Sequence, residues 1–131
     1  MANIEFKPIA AGFKFLDLIE IESIPDRTKR LLIGNEEILI AVKTARDIGI
    51  FTNKRMLLVD TQGIFGSKKE YFSLPYKSIA TFDILLSTTN AKIKIITRAG
   101  YPIKLNFMKS VKEGAAMAIY NIIANQVLSD W

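Results

Sequence analysis

The stretch Ile48-Gly49-Ile50-Phe51-Thr52-Asn53-Lys54-Arg55-Met56-Leu57-Leu58-Val59 decides the fold. Two runs rich in β-branched and aromatic residues flank Asn53-Lys54, a two-residue tip. Asn tolerates the positive φ that type I′ hairpin turns require, so the runs are expected to pair as adjacent antiparallel strands. Upstream, Glu37-Ile38-Leu39-Ile40-Ala41-Val42-Lys43 reads as the preceding strand, and Arg46-Asp47 leads into Ile48. Downstream, Asp60-Thr61-Gln62-Gly63 reads as a turn. Asp bonds its own backbone there and Gly is free to take positive φ.

Further strands follow at the spacing of an all-β domain. Lys69 to Leu74 is closed by Pro75, which has no amide to give a ladder. Ser78 to Leu85 comes next. The last hairpin has the clearest alternation: Lys92 to Thr97, a turn at Arg98-Ala99-Gly100, then Tyr101 to Phe107, where Ile103, Leu105 and Phe107 oppose Lys104 and Asn106. Ser110-Val111-Lys112-Glu113 matches a capping box, and the helix it opens carries an apolar stripe of Val111, Ala115, Ala118, Ile119, Ile122, Ile123 and Val127. Seven strands and one amphipathic helix call for a bent two-sheet barrel whose open end the helix plugs, because a closed sandwich has nowhere to bury such a helix.

The first 33 residues have a different texture. Phe6, Ile9, Phe13 and Leu16 give a rough helical stripe, while Leu18 to Glu22 alternates as a strand does; the expectation is a helix over 4–24. A short helix is expected from Pro25-Asp26, ended by Gly34. The domain division is therefore an arm over 1–33, docked on the barrel or on a neighbouring subunit, and a barrel domain over 34–131.

Composition bounds the chemistry. The chain has 131 residues, one domain's worth, with half of them hydrophobic and only 24 % charged, too apolar for disorder. It has neither Cys nor His, which removes thiolate nucleophiles, disulfides, Cys/His zinc sites and every Ser-His arrangement. Glu36 and Glu37 are adjacent and face opposite sides of a strand, so they are no acid–base pair. Asp47, Asp60 and Asp83 sit where Asp serves backbone. No catalytic residue, metal site or cofactor is expected. The N-terminus lacks the basic and apolar regions of a signal peptide, which points to the cytoplasm. Charge is uneven: residues 1–40 carry 5 bases and 7 acids, residues 41–131 carry 13 bases and 6 acids.

The strings Ile50-Phe51-Thr52-Asn53-Lys54-Arg55-Met56-Leu57-Leu58-Val59-Asp60, Gln62-Gly63 and Ser73-Leu74-Pro75-Tyr76-Lys77-Ser78-Ile79 resemble the bacterial pleckstrin-homology-like domain family. The resemblance runs from Gly34 to about Val127. It departs from the usual pattern at Thr61 to Ser67 and in the short stretch Ser87 to Asn90. It implies a pleckstrin-homology barrel, often in ring-like homo-oligomers, without established catalysis or ligand.

Two sets of residues are candidates for function. Lys43, Arg46, Lys54 and Arg55 fall near the first two hairpins, where eukaryotic pleckstrin-homology domains grip phosphoinositides. Their spacing departs from that of those binders, and Asn53-Lys54-Arg55 also reads as a hairpin signature in which Arg55 pairs with a neighbouring acid. Phe6, Ile9, Phe13, Leu16, Tyr71, Tyr76 and Lys77 are candidates for an interaction surface. The function expected is a non-catalytic module that self-assembles and binds a partner protein, with peripheral binding of anionic lipid head groups or phosphate through the basic body as the alternative. Aromatics are not interleaved with Lys and Arg as nucleic-acid binding requires.

Overall fold

In a computed structural model, residues 13–129 are described, apart from the side chains of Phe13, Ser110, Lys112 and Glu113. The elements in chain order are β1 (Phe13–Phe15), β2 (Asp17–Leu18), a 3₁₀ turn (Ile21–Ser23), α1 (Asp26–Lys29), β3 (Ile38–Lys43), β4 (Ile48–Thr52), β5 (Arg55–Gln62), β6 (Lys68–Pro75), a 3₁₀ turn (Tyr76–Ser78), β7 (Ile79–Leu86), β8 (Asn90–Thr97) and β9 (Pro102–Met108). The C-terminal helix follows as α2 (Lys109–Val111), a π turn (Lys112–Ala116) and α3 (Met117–Leu128).

The strands form two sheets, ordered β1-β9-β8-β7 and β2-β3-β4-β5-β6. The seven strands expected from the sequence are all present, and the C-terminal helix packs against the core between the sheets. Its buried positions are Val111, Ala115, Ala116, Ile119 and Ile123. Ala116 is buried where the stripe places Ala118, because the π turn shifts the phase of the helix part-way along. The capping box itself involves side chains outside those described.

Residues 13–18 differ from the helix expected over 4–24, the first part of which lies outside the described residues. β1 lies parallel to β9, and β2 lies antiparallel to β3, so this short run passes from one sheet to the other. Extended backbone wins here because it sends Phe15 into the core while Leu16 and Leu18 stay exposed. Phe15 is fully buried, with its ring 5.3 Å from that of Phe107. Gly49 makes room for it: a Cβ at Gly49 would lie 2.8 Å from the Phe15 ring. The arm expected over 1–33 is therefore, from Phe13 on, hydrogen-bonded into both sheets.

Residues 19–33 then cross the outer face of the five-stranded sheet as a strap. Ile24 is its plug, packed with Ala41, Ile50, Leu57 and Val59, and with Ile19, Leu32 and Tyr71 at the margins. This second, smaller core explains why Met56-Leu57-Leu58-Val59 is an unbroken apolar run. Met56 and Leu58 face the main core while Leu57 and Val59 face the strap, so the strand is covered on both sides.

Candidate functional site

The hairpin Phe51 to Arg55 is held by a network that reaches back to the end of the strap. The Arg55 guanidinium donates to both Glu36 carboxylate oxygens, Nε to Oε2 and Nη2 to Oε1, each at 2.9 Å. Nη2 also donates to the Leu31 carbonyl at 2.6 Å, and Nη1 donates to the Ser73 hydroxyl at 2.9 Å. Glu36 also accepts from the Thr52 hydroxyl at 2.7 Å and from the Ile33 amide at 3.1 Å. Its side chain is 0 % exposed and that of Arg55 20 %. Burial alone pushes the Glu36 carboxyl up. The Arg55, Thr52 and Ile33 hydrogen bonds and the Arg55 charge outweigh it and hold the group below its ordinary value.

Asn53 works through its side chain. Its Oδ1 accepts from the Glu37 amide at 2.8 Å and its Nδ2 donates to the Asn35 carbonyl at 3.2 Å. No described non-glycine residue has positive φ, so the type I′ turn expected here is not formed. Instead the Thr52 hydroxyl accepts from the Lys54 and Arg55 amides and closes the tip locally. Tyr76 completes the network from below by donating to the Thr52 carbonyl at 2.8 Å. Burial, helped by the Glu36 charge, pushes the Tyr76 hydroxyl far above its ordinary value, so it remains a donor. The assembly is a clasp that binds strap, hairpin and the β6 corner together.

This geometry redistributes the expected cations. Lys43 and Arg46 lie at one end of β4 and Lys54 and Arg55 at the other, about 17 Å away for a five-residue strand. The four do not form one phosphate cradle, and Arg55 is spent on Glu36. Lys43 and Lys54 are exposed, and Arg46 donates to the Gly63 carbonyl. Among the expected interaction residues, Phe6 and Ile9 lie outside the described residues, and the Phe13 backbone pairs with Leu105. Leu16 and Lys77 are exposed. Tyr76 is a core residue, not a surface one, because its ring fills the barrel. Tyr71 is half-buried at the edge of the strap core, and its hydroxyl is buried without a partner.

Three surface features were not singled out from the sequence. Ile64 and Phe65 cap the β5–β6 turn at 91 % and 93 % exposure. The signal was present in two large apolar residues enclosed by Gly63 and Gly66. The outer face of the four-stranded sheet carries Lys14, Lys92, Lys94 and Lys104 against one acid, Asp83, whose carboxylate is 4.0 Å from Lys94. The alternation Lys92-Ile93-Lys94 announces that face. Finally, β7 ends the four-stranded sheet, and its last two residues, Leu85 and Leu86, are exposed.

A family model described as bacterial PH domain matches residues 13–127. A Bacillus subtilis (strain 168) protein, YjqA, is 42 % identical over 62 residues, which cover 47 % of this chain and 50 % of that protein, so the chain spans about half the length of this curated relative. A crystal structure of a DUF1696 family protein with a pleckstrin-homology domain from Shewanella loihica PV-4 is similar at TM-score 0.71 and 28 % identity, covering 84 % of this chain and 95 % of that one. A pleckstrin homology domain from Shewanella amazonensis SB2B is similar at TM-score 0.64 and 29 % identity, covering 85 % and 90 %.

Proposed function

The chain belongs to the bacterial PH domain family, and from that premise we propose that it acts as a non-catalytic interaction module that self-associates and presents the assembly to a partner protein. The family's character as a binding fold supports the first half of this reading. The observation that carries the second is the apolar surface left uncovered at sheet edges. Leu16, Leu18 and Leu39 are exposed along the β2–β3 edge, and Leu85 and Leu86 along β7. Unpaired strand edges lined by large apolar residues are costly to a monomer and are relieved by pairing between copies. The cytoplasm is the compartment this reading assigns. No helix among the described residues is long and apolar enough to cross a membrane.

The test is light scattering on the size-exclusion peak of the full chain at two protein and two salt concentrations. A mass above 14.7 kDa is the expected outcome. A monomer at every condition refutes self-association.

One observation favours a second reading, contact with an anionic surface: the face bearing Lys14, Lys92, Lys94 and Lys104. Flotation with anionic liposomes at about 0.15 M salt, where the Debye length is about 8 Å, decides it. Binding lost in Lys92→Glu/Lys94→Glu supports this face, and absence of flotation removes the reading.

A further inference from the structure

We infer that the β5–β6 turn of one copy seats in the groove beside β2 of another, joining subunits head to tail; this rests on the self-association proposed above and names the surfaces that meet. The turn is a shaped knob. Gly63 and Gly66 take φ of +87° and +67°, the Gly66 amide donates to the Gly63 carbonyl at 3.3 Å, and the Arg46 guanidinium ties the same carbonyl to the β3–β4 turn. Ile64 and Phe65 are thus presented by a turn fixed at both ends, which lowers the ordering cost of binding. Arg46, Lys68 and Lys69 stand exposed around them. The nearby acids are turned to other work: Asp47 accepts from the Thr61 amide, and Asp60 and Glu70 accept from the Gln62 amide group.

The groove has the opposite character. It measures about 480 Å³ and is lined by Leu18, Ile21, Leu39, Ile40 and Ala41, with Glu20 and Glu22 exposed along it and no Lys or Arg in its wall. An apolar knob ringed by cations faces an apolar groove edged by carboxylates, so the match holds in both hydrophobicity and charge sign. A chain cannot satisfy its own groove. β2 and β6 are the two ends of the five-stranded sheet, four strand spacings or about 19 Å apart. The contact is therefore between copies and heterologous, the kind that closes into a ring when the rotation per subunit permits.

A charge-swap series tests this by light scattering of the full chain, with circular dichroism as the check on folding; every substituted side chain is exposed. Lys68→Glu/Lys69→Glu and Glu20→Lys/Glu22→Lys are each expected to weaken assembly by roughly 30-fold or more, and the quadruple variant to recover it. Ile64→Ser/Phe65→Ser is expected to give monomer. Wild-type mass retained in all of these variants, with the wild type itself oligomeric, overturns the knob-and-groove contact while leaving self-association standing. Weakening in both double variants without recovery in the quadruple also overturns it. A monomeric wild type defeats the self-association reading first. If Ile64→Ser/Phe65→Ser keeps its mass but loses binding to phosphatidylserine vesicles, the knob's occupant is a membrane, and the inference fails.

Discussion

Replacing Glu36 by Ala tests the clasp. The carboxylate accepts four hydrogen bonds, two from Arg55 and one each from Thr52 and Ile33. Removing it strands a guanidinium whose side chain is only 20 % exposed. Breaking a buried ion pair by deleting one partner costs about 3–5 kcal/mol. The Leu31 carbonyl and Ser73 hydroxyl still receive Arg55, and water reaches part of it, so the low end applies: about 3 kcal/mol at pH 7. For a domain of this size that is a fall in Tm of roughly 12 °C. Urea denaturation followed by circular dichroism measures it. Adding Arg55→Met to the variant removes the stranded charge and recovers part of the loss, with a coupling of about 1–3 kcal/mol. The pH dependence has a definite sign. The folded-state value of Glu36 lies below its ordinary 4.5, so its contribution is complete above pH 4.5 and is lost as pH falls through the folded value. The wild-type and variant stability curves then converge in acid. A loss under about 1 kcal/mol at pH 7, or curves that stay parallel into acid, refutes the clasp.

Contacts elsewhere in the fold carry further expected outcomes. Tyr76→Phe deletes the hydrogen bond to the Thr52 carbonyl and is expected to cost about 1–2 kcal/mol, whereas Tyr71→Phe removes a buried hydroxyl with no partner and is expected to stabilise by up to about 1 kcal/mol; thermal melts of opposite sign check the pair. Gly49→Ala puts a Cβ 2.8 Å from the Phe15 ring and is expected to cost about 1–3 kcal/mol in urea titration, less when Phe15→Leu accompanies it. Asp47 is raised above its ordinary 3.8 by burial, with Asp60 adding to it against the Thr61 amide, so the folded state holds its proton more tightly and stability falls as pH rises through the folded value; Asp47→Asn should melt higher than wild type at pH 7 and no differently at about pH 3.

What was legible in the sequence was what local pattern encodes. The β4–β5 pairing follows from two β-rich runs around a two-residue tip, and the last hairpin from the alternation of Ile103, Leu105 and Phe107 with Lys104 and Asn106. The run 13–18 was not legible, because six residues that hand off between two sheets show neither a helical nor a strand period long enough to recognise. Phe15 goes in while Leu16 and Leu18 stay out, and only the tertiary partners Phe107 and Gly49 explain that choice. The acid that Arg55 needs lies 19 residues away in Glu36, a separation at which sequence offers many candidates and geometry one. The four candidate cations lie apart for a related reason. Lys43, Arg46, Lys54 and Arg55 are close in sequence, but an intervening strand carries the second pair away from the first.

Native mass spectrometry of the full chain across a tenfold range of concentration reads self-association without a model of shape. Self-association predicts one dominant species at a fixed multiple of 14.7 kDa throughout. A spectrum holding only the 14.7 kDa chain at every concentration contradicts it.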